Sequence, residues 1–195
     1  MIAGNSSKYP VARYGSLTQA FHWLTALVVL VAFVYGLGGS ESRVYAPARD
    51  LERQIHESLG MAVFALALLR MLWRVIDRQT PAHDDLPRWM MVGAKSMQGM
   101  LYLLLLAVPL TAIAGAWLEG HSLTLLGGVE ILPKVSLAHD LGAMIANLHT
   151  ILGDALIWVA GLHAVAALYH HLYLRDGVLV SMLPSWVRAP KTPVP

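Results

Sequence analysis

LHTILGDALIWVAGLHAVAALYHHLY, Leu148 to Tyr173, is the stretch from which the class of this chain is read. At about 1.5 Å of rise per residue it is long enough, as a helix, to cross the roughly 30 Å hydrocarbon core of a bilayer. Inside it His149 and His163 stand fourteen positions apart. Fourteen residues make almost four helical turns, so both imidazoles leave one face, roughly 21 Å apart along the axis. One falls toward each leaflet. Polar side chains at that depth need partners, and the default meaning of such a residue is functional. Two metals or two haems, one above the other, satisfy two stacked imidazoles best.

The rest of the composition agrees with a membrane setting. The 195 residues are 56% hydrophobic and 13% charged, against roughly 25% charged in soluble domains. Such a chain lacks the polar surface to face water all round. A formal charge of +2 gives no argument for nucleic acid. The chain has no cysteine, which excludes thiolate-held iron–sulfur clusters, Cys-ligated or Cys-attached haem, and a disulfide framework. No internal repeat is evident, and one domain is expected over residues 1–188, with 189–195 a Pro-rich disordered tail.

Four apolar runs set the expected architecture: an all-α, integral membrane four-helix bundle with spans near 17–38, 54–76, 95–118 and 143–174. The first resembles a signal peptide, but it opens with His22-Trp23, which cleavage would remove, so it is expected as a retained span. Between spans the sequence predicts a polar loop Ser40–Arg53, a surface loop Asp77–Arg88 containing Pro81, Pro87 and His83, and a longer loop Glu119–Asp140 with a short surface helix. Val178–Val187 is expected to lie in the membrane interface. The N-terminal segment, the loop after span two and the C-terminal segment hold ten of the Lys and Arg residues, from Lys8 and Arg13 to Arg188 and Lys191. The other two loops hold four: Arg43, Arg49, Arg53 and Lys134. The positive-inside rule then places both termini of this multi-pass chain in the cytoplasm.

That topology sorts the histidines by depth. Span one starts inside, which puts His22 at the inner level. Spans two and four start outside, which puts His56 and His149 at the outer level and His163 at the inner. The pairs are His56 with His149 and His22 with His163. Neutral imidazole is a good axial ligand for haem iron, and two of them close both axial positions, which suits electron transfer. Zinc asks for four ligands per site, and each level offers two histidines. Arg70 and Arg74 share the face of His56 at the cytoplasmic end, where they suit either a haem propionate or anionic lipid. Gly36, Gly60, Gly115, Gly153 and Gly161 would let helices or a flat macrocycle come close. His121 and His139 read as outer-surface residues. His170 and His171 suit an interfacial role or proton handling equally.

The residues carry a family resemblance as well. Arg13-Tyr14 through His22-Trp23-Leu24, Gln54-Ile55-His56 with Gly60, and Leu69-Arg70-Met71-Leu72-Trp73-Arg74 resemble bacterial cytochrome b561 proteins. Leu101-Tyr102 with Pro109, the His149/His163 pair, and Ala167-Leu168-Tyr169-His170-His171 leading to Asp176-Gly177 extend the likeness from Lys8 to Pro184. The resemblance implies two b haems on His22, His56, His149 and His163. Length and motif order are similar to the superoxide oxidases of that family. They imply electrons taken from superoxide at the outer face and passed to ubiquinone near the inner face, with His170 delivering protons to the quinone. Arg43, Arg49, Arg53 and Lys134 would suit an anionic substrate, but Glu41, Asp50, Glu52 and Glu57 stand among them. Members often have a His where this chain has Gln98. The alternative is an electron-conduit subunit serving a partner dehydrogenase.

Overall fold

The computed structural model describes residues 13–36, 40–77, 87–132, 138–184 and 186–187. Its long helices are α1 (Ser16–Val34), α3 (Asp50–Ile76), α4 (Arg88–Glu119) and α5 (His139–Tyr169). A short α2 (Glu41–Val44) lies between α1 and α3, and α5 runs on through a π-helical turn, His170–Leu174. The last helical turn among the described residues is α6 (Val178–Ser181). The four long helices each hold an 18-residue window of mean hydropathy between 1.8 and 2.1. Helices suit such sequence in lipid because every backbone polar group between their ends is satisfied within the segment. Their outward residues are apolar and exposed, among them Leu27, Leu30, Leu103, Leu110, Trp158 and Leu162. A bilayer is the solvent that accepts this surface.

Packing follows the small residues. α4 and α5 run against each other along most of their length, while α1 packs on α3 and α3 touches α4. Two glycines make the α4–α5 approach possible. A Cβ on Gly115 would stand 2.9 Å from Ala146 N, and one on Gly142 would stand 2.5 Å from Glu119 N. The buried apolar cluster is Val63 and Ala67 of α3, Leu104 and Leu105 of α4, and Leu156 of α5, with Val28 and Val29 of α1 against it. Leu156 lies seven residues after His149 and seven before His163, two turns from each. The apolar layer therefore separates the two histidine levels.

The ends of the elements differ from the sequence expectation. Ser40–Arg53 is not a plain loop: it contains α2 and a 3-10 turn, Pro47–Arg49, and α3 begins at Asp50. The mixed charges that read as loop are helix-stabilising pairs instead. Arg49 meets Glu52 at 2.7 Å, and Arg53 meets Glu57 at 2.9 Å and also Asp50; pairs at i,i+3 and i,i+4 share a face. α4 begins at Arg88, directly after Pro87, ahead of the expected Lys95. The outer loop forms a two-stranded antiparallel hairpin, β1 (Thr124–Leu125) with β2 (Val129–Glu130), in place of the short surface helix. Gly127 and Gly128 sit in its turn at φ +91° and +79°, a backbone that L side chains avoid.

The first and last of the described residues meet at one end of the bundle. Arg13 donates from Nη1 to Leu183 O at 2.8 Å and from Nη2 to Val187 O at 2.7 Å. Trp23 Nε1 donates to Met182 O at 2.8 Å. Met182, Leu183 and Val187, in the segment expected to lie in the membrane interface, are thus tied to α1 and to Arg13 just before it. Lys8, Arg78, Pro81, His83, Lys134, Arg188, Lys191 and the tail 189–195 lie outside the described residues.

Gly142→Ala and Gly115→Ala should each lower the thermal midpoint in detergent, by an overpacking cost of about 1–3 kcal/mol. Gly93→Ala in α4, where a Cβ meets nothing within 4 Å, should hold or raise it. Equal midpoints for all three would contradict the close α4–α5 contact.

Candidate functional site

α1, α3 and α5 bring four imidazoles together as two pairs. At one level the rings of His56 and His149 lie 6.0 Å apart between centroids with planes at 77°. At the other, His22 and His163 lie 6.2 Å apart at 73°. The first pair, called outer after the side on which the charge count is expected to place it, has its tautomer set by neighbouring helices. His56 Nδ1–H donates to Ala32 O of α1 at 2.8 Å, and His149 Nδ1–H donates to Val108 O of α4 at 2.9 Å. A carbonyl only accepts, so the proton is on Nδ1 and Nε2 keeps its lone pair. That is the arrangement in which imidazole binds metal, with its other nitrogen anchored by an acceptor.

The separations admit one metal between each pair. Two metal–imidazole bonds of about 2 Å, with the half-width of each ring added, give a centroid distance of about 6 Å. Among the described residues no group of three or more His, Cys, Asp or Glu is arranged to hold an ion. A bare tetrahedral metal therefore lacks ligands here, whereas a porphyrin brings four of its own. Space for a flat ring exists on the same helix faces. Gly60 and Gly153 lie four residues after His56 and His149, and a Cβ on either meets nothing within 4 Å. Gly161 is equally clear, while Gly115 serves α4–α5 packing.

The inner pair has a cationic neighbour. Arg70 Nη2 is 3.3 Å from His22 Nδ1, and its guanidinium lies over the Tyr102 ring at 5.4 Å. Arg74 lies over Tyr14 at 5.9 Å. These residues line a cavity of about 20 Å³ with Thr18, Trp73, Gln98 and Met182. Trp73 Nε1 donates to Thr18 Oγ1 at 3.0 Å, and Thr18 Oγ1 donates to Asp77 Oδ2 at 3.2 Å.

At the outer end the charges are largely spent on one another. Arg49 and Arg53 are ion-paired, and among the described residues Arg43 meets no carboxylate. Arg43 and Arg49 line a cavity of about 240 Å³ with Val34, Tyr35, Gly36 and Glu52. Gly36 separates it from His56, since a Cβ there would stand 3.6 Å from His56 Cε1. His121 is more than a surface residue: it stacks on Tyr45 at 3.4 Å, and its Nε2 is 2.6 Å from Glu41 Oε1. Burial, with Glu57 nearby, pushes the Tyr45 hydroxyl well above its usual range, so it stays neutral. Glu57 has a second task, accepting from Thr124 N–H to hold the hairpin on α3.

His170 lies seven residues beyond His163, two turns along the same helix. Its Nδ1 is bonded to Asp176 Oδ2, while Asp176 Oδ1 accepts from Val178 N–H at 3.1 Å. Asp176 reads in the sequence only as part of an Asp-Gly helix stop.

A helical membrane bundle with stacked imidazole pairs defines a membrane cytochrome of the b type. Comparison agrees: residues 13–185 match the family model described as prokaryotic cytochrome b561. The probable superoxide oxidase CybB of Yersinia pestis is 34% identical over 175 residues, covering 88% of this chain and 96% of that protein. Cytochrome b561 homolog 1 of Escherichia coli is 30% identical over 174 residues, covering 87% and 96%. Cytochrome b562 of Cereibacter sphaeroides is 29% identical over 180 residues, covering 87% and 94%. The chain belongs to the prokaryotic cytochrome b561 family, whose membrane electron transfer uses b-type haem. It is a bacterial membrane protein of oxidoreductase type.

Gly153→Leu should lower the haem recovered per polypeptide, measured by pyridine haemochrome, because the side chain enters the clearance beside His149. Full haem content in that variant would contradict the placement of the macrocycle against this face.

Proposed function

We propose that this chain is a superoxide:ubiquinone oxidoreductase of the inner membrane, carrying two haems, with both termini in the cytoplasm. One observation carries the reading: two imidazole pairs stand at two depths of one bundle, with an arginine-lined cavity beside the outer pair and His170 beyond the inner. Haem supplies a one-electron couple, and two of them stacked through the bilayer would join its faces. In this reading His56 and His149 hold the outer iron, and His22 and His163 the inner. The Ala32 and Val108 carbonyls fix the outer rings so that Nε2 faces the metal. Arg70, and Arg74 beside it, would pair with a propionate of the inner haem. The apolar layer of Val63, Ala67 and Leu156 excludes water between the two levels.

Arg43 is the cation that would draw superoxide to the cavity at Gly36. Two superoxide ions give up one electron each and leave as two O2. The two electrons and two protons from the inside convert ubiquinone to ubiquinol, and His170 delivers a proton from its ring. The relative named as a probable superoxide oxidase, at 34% identity, supports this choice of substrate.

A second reading is an electron-conduit subunit that serves a partner dehydrogenase. The pairing of Arg49 and Arg53 with their own helix's carboxylates favours it, because it reduces the attraction for a free anion.

Stopped-flow mixing of the oxidised protein with superoxide should reduce its haem, and a ubiquinone analogue should reoxidise it. Arg43→Glu should slow the first phase several-fold at low salt, with the difference closing at high salt. Haem that dithionite reduces and superoxide leaves oxidised, in a preparation with a stoichiometric partner, would replace this reading with the second.

A further inference from the structure

Residues six apart on a regular α-helix point about 120° away from each other and do not touch. His170 and Asp176 are six apart and bonded, because the helix ends between them in an unusual way. The last turn, His170–Leu174, is π-helical. Arg175 then takes φ +53°, the one left-handed non-glycine backbone among the described residues, and Gly177 takes φ +79°. The chain reverses and carries Asp176 back to the His170 ring. Both side chains are largely shielded, at 20% and 17% exposure. Such π turns and left-handed non-glycine residues are held only when the surroundings impose them, and they gather at functional sites.

We infer that Asp176 is a positioning residue for His170, fixing its tautomer and stabilising the ring when it is charged. The inference rests on the reading that His170 delivers protons to the quinone. A carboxylate on Nδ1 keeps that proton in place and leaves Nε2 as the exchanging nitrogen. When Nε2 takes a proton from the cytoplasmic side, the adjacent carboxylate balances the new charge. Nε2 then passes that proton to a quinone oxygen, and the ring returns to its neutral Nδ1–H form. Both electrons come from the two superoxide ions, so the residue pair moves protons only. Asp176 has a second bond, from Val178 N–H at 3.1 Å, so its position is set by the backbone of α6 as well. His171, Tyr169, Tyr173 and Arg175 are the neighbouring polar groups on this turn, and Tyr169 meets the His170 ring edge-on at 6.5 Å.

Three variants of the full, haem-loaded chain test this. Asp176→Ser keeps an acceptor short enough for Val178 N–H but too short for His170. Asp176→Asn can offer its oxygen to Val178 and its NH2 to Nδ1, which moves the ring proton to Nε2. His170→Gln removes the ring. All three should keep wild-type haem content and dithionite reduction. Reoxidation by a ubiquinone analogue should slow by about 10- to 100-fold in the Asp176 variants, as for other partners that orient a functional histidine. Nitrogen NMR of labelled His170 should give Nδ1–H in the wild type and Nε2–H in Asp176→Asn. A slow His170→Gln beside an Asp176→Ser as fast as wild type, or an unchanged tautomer in Asp176→Asn, overturns the inference about Asp176 alone. A His170→Gln as fast as wild type overturns the underlying assignment of His170.

Discussion

An imidazole in hydrocarbon must satisfy both of its nitrogens, and that constraint organises this molecule. At the outer level Nδ1 of each ring donates to a carbonyl of another helix, Ala32 or Val108. Each bond ties an imidazole-bearing helix to a neighbour: α3 to α1 and α5 to α4. The two rings of the pair stand 6.0 Å apart between centroids, a gap that a metal fills and a hydrogen bond does not. Unpaired polar atoms in lipid cost several kcal/mol each. The bundle and its cofactor are therefore parts of one energetic problem.

Spacing between the levels comes from the same helices. Val63 is seven residues past His56 and seven before Arg70, and Leu156 divides His149 from His163 in the same way. Two turns of helix set each interval at about 10 Å. The apolar layer of Val63, Ala67 and Leu156 lies between the two levels and offers water no polar partner there. The two ends are built differently. The outer one is a cap of ion pairs and a hairpin, with Glu57 serving both. The inner one is a cluster of arginines, aromatic rings and the His170–Asp176 pair.

The four spans and the two histidine levels were legible in the sequence because they depend on periodicity within single helices. His149 and His163 share a face whatever surrounds them. Contacts made by chain reversal were not legible. Asp176 reaches His170 only through a π turn and a left-handed Arg175, neither of which has a composition signal. The Ser40–Arg53 charges read as loop because polarity hides their i,i+3 and i,i+4 order. The Gly127-Gly128 pair was a usable hairpin signal that apolar neighbours obscured. Gly115 and Gly142 differ from Gly60 and Gly153 only in what lies opposite them. That is a tertiary fact.

In the function proposed above, each imidazole pair would grip one haem. Haem per polypeptide, by pyridine haemochrome on purified protein, tests it most directly in the wild type, His163→Ala and His149→Ala. Two haems are expected in the wild type and one in each variant, each keeping the spectrum of the remaining bis-imidazole iron. A single haem in the wild type, or two retained after loss of His163, would contradict it.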